Sequence, residues 1–405
     1  MADRTILHCD LNSYFASVEL LSYPELRERP VAVCGDPESR HGIILAKNEP
    51  AKKMGVQTAE TLWQARRKCP GLILLPAHRE RYQFFYEKIN RIYLDYTDQV
   101  EAFSIDESWL DVTGSRRLFG DGPAIAQTLR RRVREETGLT LSIGVSFNKT
   151  FAKLGSDYQK PDAVTVITRG NFPQLLYPLP VGRMLFIGPT AERLLVSRGI
   201  ATLGDLARCP AAALCAILGK SGESLWQWAN GRDESPVRRW GEGEPVKSVG
   251  NGLTFPHDLR GLAEWKQGLI PLCEQVGERL RRQGLRCQTL ALQIKDPSLK
   301  VISRQMKMSP PTALTRELFR GGLALLKASW PSDAPVRMLT VTASNLVDEA
   351  APVYQQLDLL APAPCQDSRQ QQLEKAIDQV RSRYGREAVR LTAVLGREGP
   401  KAPTP

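Results

Sequence analysis

The chain has 405 residues, with 55 Lys+Arg against 44 Asp+Glu, a formal net charge of +11 and a pI near 9.3. That length suits two to four domains, and 42% hydrophobic with 24% charged residues is the composition of an ordinary soluble globular protein. No apolar run approaches the ~18 residues of a membrane span, residues 1–7 enter a strand-like segment with no secretory signal, and eight scattered cysteines without a C-x-x-C pair argue against a zinc site or a disulfide framework. A reducing, cytoplasmic setting is expected, and the positive excess points to an acidic partner such as nucleic acid.

In chain order, residues 5–9 form a short apolar strand ending at Asp10, with Asn12 or Ser13 placed to cap the helix that follows. Residues 30–35 and 42–46 read as strands, 49–54 and 59–68 as short helices, and 72–75 as a strand. Helical spacing of Phe84, Phe85, Ile89, Ile92 and Tyr93 predicts a helix over 79–96. Two apolar stretches, 102–105 and 109–112, flank Asp106-Glu107 as at a hairpin. A basic amphipathic helix (124–136), a strand (141–146), a helix from 151 closed before Pro161, and a strand (164–167) complete an α/β or α+β block.

Residues 170–240 are helical in signal, and 240–247 is a polar Gly/Pro-bearing linker. Residues 248–348 then read strand, helix, strand, strand, helix, strand, the order of the ferredoxin-like pattern. From 246 to 350 there are 15 Lys+Arg and 9 Asp+Glu, a balance of +6. In that segment Ser303, Gln305 and Lys307 alternate with Ile302, Arg304, Met306 and Met308, a strand with one polar and one packed face. After Ala350 come Ala/Pro-rich stretches, one amphipathic helix (370–384) and a Pro-rich end, a partly flexible tail.

The strongest feature of the first block is a set of separated carboxylates, Asp10 and the adjacent pair Asp106-Glu107. If the first strand lies beside the 102–112 hairpin, Asp10, Asp106 and Glu107 meet at one sheet edge. Adjacent carboxylates repel unless water or a cation neutralises them, and an all-oxygen set suits Mg²⁺. Two such ions clamp the attacking and leaving oxygens of a phosphoryl transfer. Taken by themselves, the same residues also read as a common Asp-Glu turn and a helix cap.

The surrounding motifs favour the first reading. The run from His8 to Glu19 (HCDLNSYFASVE) strongly resembles the opening motif of Y-family, translesion DNA polymerases. FSIDES (103–108), GVSFNKTFAKLGSD (144–157), Lys160-Pro161 and KSVG (247–250) resemble their later motifs, in family order and at family spacing over about 5–350. The nearest group is the bacterial DNA polymerase IV (DinB-type) branch. The resemblance implies an α+β, right-hand polymerase: palm at 1–19 and 79–168, fingers at 20–78, helical thumb at 169–239, linker at 240–247, and a ferredoxin-like βαββαβ little finger at 248–348.

It also implies roles. Asp10, Asp106 and Glu107 would hold two Mg²⁺ ions, with the Leu11 carbonyl completing one shell; Glu107 would help position or deprotonate the primer 3′-hydroxyl. Phe15 matches the steric gate against a ribose 2′-OH, with Tyr14 beside it. Lys52 and Lys160 match contacts to the incoming triphosphate, although Glu49 and Lys52 stand where the family has Tyr and Arg, and Lys lacks Arg's two-pronged geometry. LFIGPTAERL (185–194) resembles a helix-hairpin-helix in which the amides of Ile187 and Gly188 would bind DNA phosphates, with Phe186 at the usual first glycine. Gln356, Leu357, Leu359 and Leu360 resemble the peptide that docks bacterial polymerases on the sliding clamp (beta subunit). The implied partners are primer-template DNA, dNTPs and the clamp, with a monomeric enzyme acting at low fidelity in lesion bypass. A different palm-type nucleotidyltransferase, or a catalytically silent DNA-binding relative, is the alternative.

Overall fold

The computed structural model describes residues 3–35, 42–352, 368–385 and 388–389. The chain divides into two compact units, Met1–Gly243 and Glu244–Pro405.

In the first unit, β1 (Ile6–Leu11) is buried at every position and leads into α1 (Tyr14–Leu20). Neither expected cap is used. Ser13 sits in the left-handed region at φ 47° with no capping side-chain bond, and the Asn12 side chain is engaged with Ser142 Oγ and the Asp162 amide, both at 2.9 Å. A small sheet follows, made of β2 (Val31–Cys34), β3 (Ile44–Lys47) and, after α2 (Glu49–Lys53) and α3 (Leu62–Lys68), β4 (Ile73–Pro76). Its order is β3-β2-β4, and it closes its own core around Ala32, Ile44, Ala51, Leu62 and Ala65.

The chain then returns through α4 (Arg79–Leu94), β5 (Val100–Ala102), β6 (Glu107–Asp111), the single turn α5 (Arg116–Phe119), α6 (Gly122–Thr137), β7 (Leu141–Ser146), α7 (Lys149–Tyr158) and β8 (Val164–Val166). The main sheet has the order β5-β6-β1-β7-β8, with β1 antiparallel to both neighbours. Successive side chains of a strand point to opposite faces. On β1, Leu7, Cys9 and Leu11 join the core under α4 and α6, whereas Ile6 packs with Ala152 of α7 and His8 bonds Ser156 of α7. Asp10 falls on the α7 face by the same alternation. The close seating of α7 on β7 requires Gly144, because a Cβ there would collide with the backbone of Ala152, Gly155 and Ser156.

Five short helices complete the unit: α8 (Phe172–Leu176), α9 (Pro189–Val196), α10 (Leu203–Arg208), α11 (Ala211–Leu218) and α12 (Ser221–Ala229). They share a core that includes Leu176, Leu195, Leu206, Leu214 and Leu225.

The second unit contains β9 (Ser248–Leu259), α13 (Gly261–Arg282), β10 (Leu285–Lys295), β11 (Val301–Thr312), α14 (Thr315–Ser329) and β12 (Val336–Asp348). The expected β-α-β-β-α-β order is present. All pairings are antiparallel in the order β11-β10-β12-β9, so the second and fourth strands hold the centre. On β11, Ile302, Met306 and Met308 join the core beneath the helices, while Ser303, Gln305 and Lys307 are exposed. A last helix, α15 (Ser368–Tyr384), is anchored to α13: partly buried Arg281 pairs with Glu374 at 2.5 Å and Asp378 at 2.6 Å.

Candidate active site

The carboxylates meet where β1 and β6 end together. Asp10 lies directly opposite Glu107 across the β1–β6 ladder and opposite Ser142 on β7. The Leu11 amide donates to the Asp106 carbonyl at 3.0 Å, which fixes Asp106 at the same end. Two expectations change. Residues 103–106 form the whole turn, so Glu107 is the first residue of a strand. The set also lies at the ends of central strands rather than at a sheet edge, because β7 covers the other side of β1.

Asp10 is only 4% exposed. Burying an ion without a partner costs several kcal/mol, and the structure supplies the partners from and just beyond α7. Lys153 Nζ lies 3.0 Å from Glu107 Oε1, 3.3 Å from Asp10 Oδ2 and 3.1 Å from Asp157. Lys160 Nζ lies 2.6 Å from both Asp10 Oδ2 and Asp157 Oδ1. Burial pushes the Asp10 carboxyl up to about 7, opposed by Lys160 and Lys153. Burial also works to raise Glu107, but the Lys153 ammonium at 3.0 Å opposes it and holds that carboxyl below the usual range. Glu107 therefore carries the anion more firmly than Asp10.

His8, fully buried, has its pKa lowered to about 4 by desolvation. The Ser156 hydroxyl donates to the Lys153 carbonyl at 2.8 Å and so accepts from His8 Nδ1, also at 2.8 Å. His8 Nε2 then faces Glu107 Oε2 at 3.5 Å, and neither buried atom has a hydrogen-bond partner.

Among the described residues, no three His, Cys, Asp or Glu side chains converge ready to hold a metal. Asp106 is turned to Ser104, whose hydroxyl donates to Oδ1 at 2.5 Å, and the Lys153 ammonium stands between Asp10 and Glu107. The donor chemistry nevertheless fits a hard divalent cation: three carboxylates at one strand end and an unpartnered buried oxygen on Glu107.

The remaining sequence-derived residues are placed as follows. The Phe15 ring stacks on Tyr82, with centroids 4.1 Å apart and planes 12° apart. Tyr14 is 3% exposed and its hydroxyl donates to the Tyr82 carbonyl at 2.5 Å, so it is a core residue. Tyr82 is in turn held by Glu19, which accepts from its hydroxyl at 2.6 Å. Lys52 lies on α2 beside the small sheet, exposed and ion-paired with Glu49 at 3.4 Å. The Ile187 amide is already engaged with the Met184 carbonyl at 3.1 Å, so Gly188, exposed at the start of α9, is the amide left open there. Phe186 is 69% exposed and takes a positive φ of 67°. Gln356, Leu357, Leu359 and Leu360 lie outside the described residues.

Sequence reasoning missed Lys153, Asp157, His8, Ser156 and Tyr82. The available signal was the spacing on α7, where Lys153 and Asp157 are four apart and Lys160 three further on.

Residues 9–157 match the impB/mucB/samB family, and residues 246–359 match that family's C-terminal domain. A DNA polymerase IV from Acetivibrio thermocellus is 45% identical over 98% of this chain and 98% of that relative. A DNA polymerase IV from Moorella thermoacetica is 38% identical over 97% of each. The chain belongs to the Y-family DNA polymerases. A solved Y-family DNA polymerase chimera superposes with a TM-score of 0.75 at 24% identity, covering 85% of this chain and 99% of that one. The fold of this Y-family polymerase is thus the α+β right hand of palm, small fingers, helical thumb and little finger, and that fold implies dependence on a divalent metal. No helix among the described residues is long and apolar enough to cross a membrane.

Proposed function

We propose that the chain is a template-directed DNA polymerase that adds deoxynucleotides to a primer 3′-end, at low fidelity, in lesion bypass and DNA repair. The observation that carries this is the cross-strand pair Asp10–Glu107 with Asp106 at the same strand end, in a chain of this family. The palm comprises 1–19 and 79–168, the fingers 20–78, the thumb 169–239, the linker 240–247 and the little finger 248–348, with the tail beyond.

Asp10, Asp106 and Glu107, with the Leu11 carbonyl, would hold two Mg²⁺ ions. When bound, these neutralise charge on the attacking and leaving oxygens of phosphoryl transfer. Glu107 helps to orient or deprotonate the primer 3′-hydroxyl, whose oxygen bonds the α-phosphorus as pyrophosphate leaves. Lys160 and Lys52 offer cations to the triphosphate. Phe15 occupies the space a ribose 2′-OH needs, and the Tyr82 stack beneath it limits its rotation. Gly188 offers an amide to a DNA phosphate, and the polar face of β11 lies along the duplex. The tail motif 356–360 docks on the sliding clamp, and the enzyme acts as a cytoplasmic monomer. Primer extension with dNTPs and Mg²⁺ tests the reading. The wild type should extend and Asp106→Ala should lose at least about 1000-fold in rate, a barrier rise of about 4 kcal/mol. No extension by the wild type would leave a silent DNA-binding relative or another palm-type nucleotidyltransferase.

A further inference from the structure

Lys153 has no assigned part in the reading above, yet it is the side chain most deeply placed among the carboxylates. It projects from α7, which is fixed at its start by Asn148, whose side chain accepts from the Phe151 amide at 2.7 Å, and is seated on β7 through Gly144. Its side chain is 13% exposed, and its ammonium contacts Asp10, Glu107 and Asp157 within 3.3 Å. Lys160 adds a second ammonium on the same Asp10 oxygen. Asp10, Asp106, Glu107 and Asp157 against Lys153 and Lys160 leave a formal balance of −2 across the group, where the carboxylates alone would leave −4.

We infer that Lys153, seconded by Lys160, is a built-in counter-cation standing between Asp10 and Glu107 in place of the divalent ion, and that it makes ion loading depend on arrival of the triphosphate. This rests on the reading of these carboxylates as the metal site. A divalent ion approaching the oxygens that Lys153 touches meets like charge at contact distance. An incoming triphosphate gives the ammonium groups another anion to pair with and releases those oxygens. Nucleotide and ion should then each raise the other's affinity, since coupling between two ligands is reciprocal. Lys153 is on this account a positioning residue. The plainer account is an ion-pair network that only stabilises α7, in which the Lys153–Asp157 pair is an ordinary helical i,i+4 contact.

Mn²⁺ binding to the full chain, read by electron paramagnetic resonance of the free ion, separates the two. It is measured without nucleotide and with a dideoxy-terminated primer-template plus matching dNTP. In the wild type, nucleotide should tighten Mn²⁺ binding by about 10-fold or more. Lys153→Met should bind Mn²⁺ about 5–10-fold tighter than wild type without nucleotide, and the nucleotide effect should shrink by a similar factor. Lys153→Arg, which keeps the cation, should stay within about 2-fold of wild type. A folded Lys153→Met that binds Mn²⁺ no tighter than wild type overturns the inference while leaving the polymerase reading intact. A wild type that extends primers yet binds no Mn²⁺ at these carboxylates removes the metal site and this inference with it. Should Lys153→Met not fold, reductive methylation of the wild-type chain with formaldehyde and cyanoborohydride, read by peptide mass spectrometry, decides instead: Mn²⁺ should speed modification of Lys153, and an unchanged rate overturns the inference.

Discussion

A period of two along six residues decides what each side chain of β1 can do. Leu7, Cys9 and Leu11 go to the core beneath α4 and α6, where burial of a leucine is worth roughly 2 kcal/mol. His8 and Asp10 go to the α7 face, where polar partners await them. The adjoining turn brings Phe15 against Tyr82, a stack that holds the ring in one orientation. Removing the ring in Phe15→Ala should raise ribonucleotide insertion relative to deoxynucleotide by about 100-fold, the rate equivalent of a clash of about 2.7 kcal/mol. Competing dNTP and rNTP incorporation on one primer-template measures it, and unchanged sugar selection rejects Phe15 as the gate. At this scale the sequence was most legible where a residue stands in a specific motif, as Asp10, Asp106, Glu107 and Phe15 do. It was least legible for Lys153 and Tyr82. An i,i+4 Lys–Asp pair looks the same on any solvated helix, and a tyrosine in an amphipathic helix looks the same whether it backs a functional ring or fills a core.

Between elements, the Glu101 carboxylate helps to tie the main sheet to the segment after α12. Glu101 on β5 accepts from Lys149 Nζ at the start of α7 at 2.8 Å and from the Arg238 amide at 3.0 Å. Burial would raise its pKa, but these bonds outweigh it and hold the carboxyl below its ordinary 4.5. A carboxylate with a depressed folded pKa contributes stability that is fully present above the unfolded value and is lost as pH falls through the folded one. Glu101→Gln should therefore destabilise the first unit by roughly 2 kcal/mol at pH 7, the scale of hydrogen bonds to a charged group. The gap between variant and wild type should narrow as pH falls below 4.5. Urea unfolding of both proteins across pH checks this, and a gap independent of pH would mean that the contact is not ionic. Most elements were legible from apolar spacing. What escaped was set by distant partners: Asn12 does not cap α1 because its side chain is drawn to Ser142 and Asp162. The tail helix α15 is seated by Arg281, a residue some ninety positions earlier that spacing alone presents as one more cation on a basic helix.

The whole molecule carries its charge unevenly, and the division into two units gives that a consequence. Among the described residues, the core of the second unit, from Val249 to Ala343, is built from its own residues, and the clusters of the first unit contain none of these. Each unit thus has the apolar interior needed to fold by itself. Residues 246–350 hold +6 of the chain's +11, and the row Ser303, Gln305 and Lys307 on β11 is exposed. Binding through such a surface works by displacing counterions from phosphates, so the logarithm of affinity falls with the logarithm of salt by about 0.9 for each phosphate neutralised. A fragment ending at Gly243 should fold and retain the carboxylate end of β1 and β6. It should nevertheless bind primer-template more weakly than the full chain, with a salt slope shallower by about 3 if the second unit neutralises three or four phosphates. Fluorescence anisotropy of a labelled primer-template between 50 and 200 mM salt gives both slopes. Equal slopes would move the grip on DNA out of the second unit and leave its basic surface as solvated charge. A shallower slope in the fragment would assign the charge excess of residues 246–350 to holding the duplex, and leave the carboxylates of the first unit to hold the reacting groups.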